Sequence, residues 1–129
     1  MQIYYFSRTG RSEMVAKELA QKHNVTAKKI DDHIDWSGKA GYIKAGGKAL
    51  SNKSVPIDYP SLDDDKDIYV VFPLWAGSTP PAINTFIKEI GAGKIVAIVT
   101  SKGSTLKNKY GFKEVIDLIG EDAPLPEEL

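Results

Sequence analysis

Three short polar stretches hold the residues that could do chemistry. Ser7-Arg8-Thr9-Gly10-Arg11-Ser12 packs three hydroxyls, one glycine and two guanidinium groups into six positions. At the start of a helix such a stretch can hold an anion, because the first-turn amides are unpaired and the helix dipole is positive there. The same six residues also make an ordinary helix cap with arginines in solvent, and alone they do not separate the two readings. Pro73-Leu74-Trp75-Ala76-Gly77 offers an indole on which a flat ligand could stack, or a plain packing residue. Thr100-Ser101-Lys102-Gly103-Ser104 is a third turn of the same polar kind. None of the three contains His, Asp, Glu or Cys, so no general acid or base, no metal ligand set and no catalytic side chain is expected in them.

The elements that must position these loops follow from hydrophobic spacing. Gln2 to Phe6 reads as a strand that runs directly into the first loop. From Arg11 to His23, Val15, Ala16, Leu19 and Ala20 share one helical face. Val25 to Ile30 alternates weakly and carries Lys28 and Lys29, as suits an edge strand. Asp67 to Pro73 and Lys94 to Thr100 enclose continuous apolar runs, expected of strands buried on both faces. Between them Thr79 is expected to cap a helix, with Pro80 as its first residue, Ile83, Phe86, Ile87 and Ile90 as its apolar face and Gly91 as its stop. A further helix is expected with Phe112, Val115, Ile116 and Ile119 on one face and Gly120 as its stop. One short helix is placed near Lys39 to Leu50 in an otherwise loop-like stretch.

Strands alternating with helices give an α/β fold: a doubly wound parallel sheet in a three-layer α/β/α sandwich. Residues 1–129 form one domain of this kind. In such a sheet ligands bind beyond the carboxyl ends of the strands, where strand order reverses. With order 2-1-3-4, the first and second loops lie side by side and the third joins them. Only four strands are legible, because Pro124 and Pro126 make Ala123 to Pro126 a poor fifth. Ile95 to Val99 would then be an apolar edge, which leads to the expectation that the tail or a second copy of the chain covers it.

Composition narrows the field. The 129 residues carry 17 Lys+Arg and 17 Asp+Glu, and a formal net charge of zero argues against nucleic acid as partner. Residues 1–54 have 10 basic and 5 acidic side chains, whereas residues 55–129 have 7 basic and 12 acidic, a dipole able to orient a partner or simply a solvated surface. The lack of cysteine excludes thiol catalysis, Cys-ligated zinc and iron–sulfur clusters, and fits a cytoplasmic setting. No run is long enough for a membrane span or resembles an export signal.

Several features point elsewhere and fail. Gly46-Gly47-Lys48-Ala49 and Gly91-Ala92-Gly93-Lys94-Ile95 lack the Ser or Thr that a nucleotide-binding loop places after lysine. Asp63, Asp64, Asp65 and Asp67 read as a solvated acidic face, and His23 and His33 as surface residues. A phospho-receiver of this topology needs an aspartate at the end of the third strand, where Pro73 stands.

Taken together, the first loop and the stretch from Pro73 to Phe86 make the chain resemble flavodoxins and flavodoxin-like FMN-binding domains over residues 1 to about 120. Ser7, Thr9, Gly10 and Ser12 fall on the family's phosphate-loop pattern S/T-x-T-G-x-S/T. The resemblance implies FMN as cofactor, its phosphate held by hydroxyls and amides of Ser7, Arg8, Thr9, Gly10, Arg11 and Ser12. It implies that Pro73, Leu74, Trp75, Ala76 and Gly77 flank the isoalloxazine, with the Ala76–Gly77 peptide near flavin N5, and that Thr100, Ser101, Lys102 and Gly103 cover the other side. Arg11 stands where many members have Asn, the third loop lacks an aromatic residue with Tyr110 as a distant substitute, and the family's fifth strand is short or missing here.

The resemblance implies a one-electron carrier serving unidentified redox partner proteins; charge and hydropathy argue against nucleic acid and membrane as partners, and the apolar strand-4 edge allows a homodimer there. An NAD(P)H-dependent quinone or FMN reductase, and a flavin-free interaction module on the same fold, are the alternatives.

Overall fold

The computed structural model describes residues 1–36, 55–107 and 109–129. The helix expected near Lys39 to Leu50 lies outside them. In chain order the elements are β1 (Gln2–Tyr5), α1 (Arg11–Lys22), β2 (Ala27–Lys29), β3 (Ile68–Pro73), α2 (Pro81–Ile90), a 3-10 turn (Ala92–Lys94), β4 (Ile95–Ser101) and β5 (Glu114–Ile119). All neighbouring strands are parallel, in the order β2-β1-β3-β4-β5. The expected order 2-1-3-4 is observed, and a fifth strand extends it.

Alternation along the central strands divides the interior into two layers. Ile3 and Tyr5 of β1, Val71 of β3, Ile98 of β4 and Leu118 of β5 face α1, where they pack with Val15, Ala16, Leu19 and Ala20. Tyr4, Phe6, Val70, Phe72, Ala97 and Val99 face the other way and pack with Ala82, Ile83 and Phe86 of α2. Because both faces are covered, β3 and β4 are apolar almost throughout. Short β2, with Lys28 and Lys29, is an edge strand as its charge foretells.

Three expectations need correction. The segment Glu114–Ile119 is a strand and not a helix. Its positions Phe112, Val115, Ile116 and Ile119 fit a helical face, but Val115 packs on one face of the sheet and Ile116 and Leu118 on the other, as in a strand. β5 pairs with β4 from Val96↔Glu114 to Ser101↔Ile119. The β4 edge is therefore filled by the chain itself, and the ground for a dimer through that edge is gone. Helix α2 begins one residue later than expected: Pro80 is its N-cap, in extended conformation, and Pro81 opens the helix. The Thr79 hydroxyl instead bonds the Asn84 side chain and lies 3.0 Å from the Tyr110 phenol oxygen.

After β5 no helix follows. Residues 121–129 cross the α1 side, with Ala123, Leu125 and Leu129 packed on the α1 layer and Lys22 Nζ donating to the Glu127 carbonyl at 2.8 Å. The tail thus covers part of the α1-side face of the sheet.

Candidate functional site at the carboxyl ends of the strands

β1 delivers Ser7 to Gly10 to the start of α1, and Gly10 takes the N-cap position with φ +96°, a left-handed geometry that strains other residues. Space is open where a Gly10 side chain would stand. Among the described residues no side chain caps α1. Ser7 Oγ accepts from the Gly10 amide at 2.9 Å and so folds the loop on itself, and Thr9 is exposed. A helix start with exposed hydroxyl chemistry and no side-chain cap is suited to an external anion.

The other members of this loop point elsewhere. Ser12 is buried, and its hydroxyl meets that of Thr100 at 2.8 Å, which stitches α1 to the end of β4. Arg8 Nε donates to the Trp36 carbonyl at 2.9 Å. Arg11 Nη1 donates to the Gly120 carbonyl at 2.6 Å, while its Nη2 is buried with no hydrogen-bond partner among the described residues. The two guanidinium groups therefore bind the loop to the segments after β2 and after β5, contacts that neither the anion reading nor the solvent reading of the sequence foresaw.

β3 delivers the second loop. Trp75 and Ser78 exchange backbone hydrogen bonds of 2.9 Å across a two-residue turn, and Ala76 and Gly77 both have positive φ, +50° and +79°. This is the I′ geometry, which fixes the turn tightly. Leu74 is tied to β4 through its amide and the Thr100 carbonyl, 2.9 Å. The Lys107 stem lies on Gly77, so close that a side chain there would displace it.

The Trp75 indole is only 6% exposed. It packs edge-on against Phe6, with centroids 5.5 Å apart at 69°, and against Trp36, 5.0 Å apart at 64°. It is a core residue in this arrangement, not an open platform. Trp36, which the sequence reading did not single out, closes this side: it is buried, its Nε1 donates to Asp32 at 2.8 Å, and its carbonyl receives Arg8. The available signal was a bulky aromatic four residues after an acid, just past the second strand.

The acid-rich exit of β2 anchors that closure. Asp31 and Asp58 pair through their backbones, and His33 Nε2 sits 2.6 Å from Asp58 Oδ2 and Nδ1 3.4 Å from Asp31 Oδ2. The Asp58 hydrogen bond, then the charge of Asp31, raises the His33 pKa above the ordinary imidazole value. His33 is exposed as expected, yet it has two carboxylate partners.

The third loop is closed by Ser101, whose hydroxyl donates to the Ser104 carbonyl at 2.6 Å. Lys102 and Gly103 are exposed, and Lys102 pairs loosely with Glu121 at 3.7 Å. Gly120 donates to the Ser101 carbonyl at 2.9 Å, which draws the β5 exit to the same end of the sheet. A separate cleft at the opposite, amino-terminal end is lined by Asp63, Asp67, Lys66 and Lys113 among others; these form the pairs Lys66–Asp63 and Lys113–Asp67, as a solvated charged surface does. Among the described residues no group of His, Asp or Glu could hold a metal ion, and no helix is long and apolar enough to cross a membrane.

A five-stranded parallel sheet with a polar loop entering its first helix defines the class: a flavodoxin-like α/β protein. The family model for flavodoxin matches residues 1–115, and the chain belongs to that family. Solved structures agree on the fold. A flavoprotein from Lactobacillus acidophilus NCFM, crystallised in complex with FMN, is 19% identical with a TM-score of 0.71, covering 94% of this chain and 92% of its own. A protein from Bacteroides uniformis taken to be a flavoprotein is 24% identical with a TM-score of 0.70, over 92% and 89% of the two chains. Another from Bacteroides eggerthii is 20% identical with a TM-score of 0.66, over 91% and 86%. No curated protein matches the chain.

Proposed function

We propose that the protein binds FMN at the carboxyl ends of β1, β3 and β4 and serves as a one-electron carrier. The observation that carries this reading is the start of α1, which has no side-chain cap among the described residues and is flanked by left-handed Gly10 and exposed Thr9. A phosphate dianion suits these donors and the dipole behind them. Family membership and the FMN-bound neighbour support the choice of flavin mononucleotide over another anion.

Residues Ser7 to Ser12 would hold the phosphate end, chiefly through backbone amides, Ser7 and Thr9, with Arg8 and Arg11 supplying positive charge. The ring would be flanked by the Leu74–Gly77 turn and the Thr100–Gly103 loop. In this arrangement the indole of Trp75 supports the turn from beneath. Bound flavin supplies redox chemistry that no side chain here can perform. The protein's part is to fix the phosphate, hold the Ala76–Gly77 peptide in one conformation and bring Lys102 and Lys107 near the site edge.

The absence of His, Asp, Glu and Cys from the three loops supports electron transfer over acid–base catalysis. Purified protein should be yellow, absorbing at about 450 nm as oxidised flavin does. Stripped protein should take up FMN far more tightly than riboflavin. Equal affinity for the two would defeat the phosphate assignment, and no binding of either would leave the flavin-free interaction module.

A further inference from the structure

We propose that Arg11 is a positioning residue that couples anion occupancy of the first loop to docking of residues 120–129, so that each tightens the other. The inference rests on the phosphate reading of that loop. Arg11 is the first residue of α1, where the helix dipole disfavours a cation. Its Nη1 is engaged by a neutral carbonyl, that of Gly120 at 2.6 Å, and among the described residues no carboxylate pairs with it. Its Nη2 is buried without a hydrogen-bond partner among the described residues, which is unfavourable for a charged donor. One anion at the loop relieves the charge at the helix start and so strengthens the conformation in which Arg11 grips Gly120.

Gly120 is the hinge between β5 and the tail. Its amide holds the Ser101 carbonyl, and Glu121 meets Lys102, so the tail leaves from the rim of the proposed site. Beyond it, Ala123, Leu125 and Leu129 cover the α1 layer and Glu127 receives Lys22. Helix α1 is therefore clasped by the tail at both ends, through Arg11 and through Lys22. Leu125 packs in the apolar layer with residues of α1, so the Arg11→Met background is what separates its effect through this clasp from its effect through packing.

Coupling between two sites is reciprocal, which makes the test strict. In the full chain, FMN should slow hydrogen exchange of amides between Gly120 and Leu129 by about tenfold, and riboflavin should not. Leu125→Asp, which loosens the tail, should weaken FMN by a similar factor of about ten and leave riboflavin unchanged. In an Arg11→Met background Leu125→Asp should have no further effect on FMN. Leu125→Ala replaces Leu125→Asp should the charged variant not fold.

A tail with a merely structural role would weaken FMN and riboflavin alike, and coupling that survives in Arg11→Met would assign the effect elsewhere; either result overturns the proposal. Inorganic phosphate alone separates this idea from the flavin reading. Tail protection by phosphate, with no FMN binding, retains the coupling and removes the flavin. No protection by either ligand removes the coupling.

Discussion

The first loop and the Trp75 turn sit side by side at the same end of the sheet, yet they are finished to different degrees. The first loop leaves a helix start with no side-chain cap, an exposed Thr9 and open space beside Gly10. The turn is complete: its backbone bonds to itself, its glycine is covered by Lys107, and its indole is sealed between Phe6 and Trp36. Polar groups that keep capacity for a ligand must remain open, whereas an aromatic ring gains most by burial. On the proposed flavin reading, anchoring and redox tuning are separable, with hydroxyls and amides on one side and a rigid packed turn on the other.

Trp75→Ala gives the largest test of that division. If the indole is core, its loss should destabilise folding by about 3–5 kcal/mol, read from the denaturant midpoint. A variant of unchanged stability that only loses flavin would place the indole on the ligand and erase the contrast.

Two hydroxyls of the first loop sharpen it further. Thr9→Val should weaken FMN by about 1–3 kcal/mol through loss of a bond to a charged group, with the unfolding midpoint unmoved and riboflavin binding unaffected. Ser12→Ala should do the reverse: about 1 kcal/mol of folding stability lost, because the buried Thr100 hydroxyl is left unpaired, and little change in FMN. Calorimetric titration beside chemical unfolding distinguishes the two patterns.

The smallest effect concerns the closure over Trp75. The His33 pKa is raised by Asp58 first and Asp31 next, with Asp32 adding charge. A raised histidine value means that its contribution is full below the unfolded value of about 6.5 and fades as pH climbs through the folded one. The 31–36 segment should therefore loosen on the alkaline side, seen as a change in tryptophan fluorescence, while the first loop is indifferent. Asp58→Asn should move the His33 NMR titration back toward that of a free imidazole. An unshifted titration would show that the carboxylate pair does not hold the histidine.

Much of this was legible before any coordinates. Val70 to Phe72 and Ile95 to Val99 read as strands buried on two faces, and the Val15, Ala16, Leu19, Ala20 spacing as a helix on a core, and both are observed. Order 2-1-3-4 and the cluster of loops at one end followed from those runs. β5 escaped because Val115, Ile116 and Ile119 satisfy a helical period and a short strand equally, and the eight residues between Gly111 and Gly120 are enough for either. The inward turn of Trp75 and the roles of Arg8, Arg11 and Ser12 depend on contacts with Trp36, Gly120 and Thr100, residues 28, 109 and 88 positions away. No local pattern encodes pairings so remote.

The lateness of β5 in the chain bears on biosynthesis. Ile95–Ser101 is synthesised before its second neighbour, and until Glu114–Ile119 emerges from the ribosome an apolar ribbon of unsatisfied backbone stands open. Such a surface invites pairing with other nascent chains. A chain cut short between residues 102 and 113 would keep that ribbon open and be prone to associate.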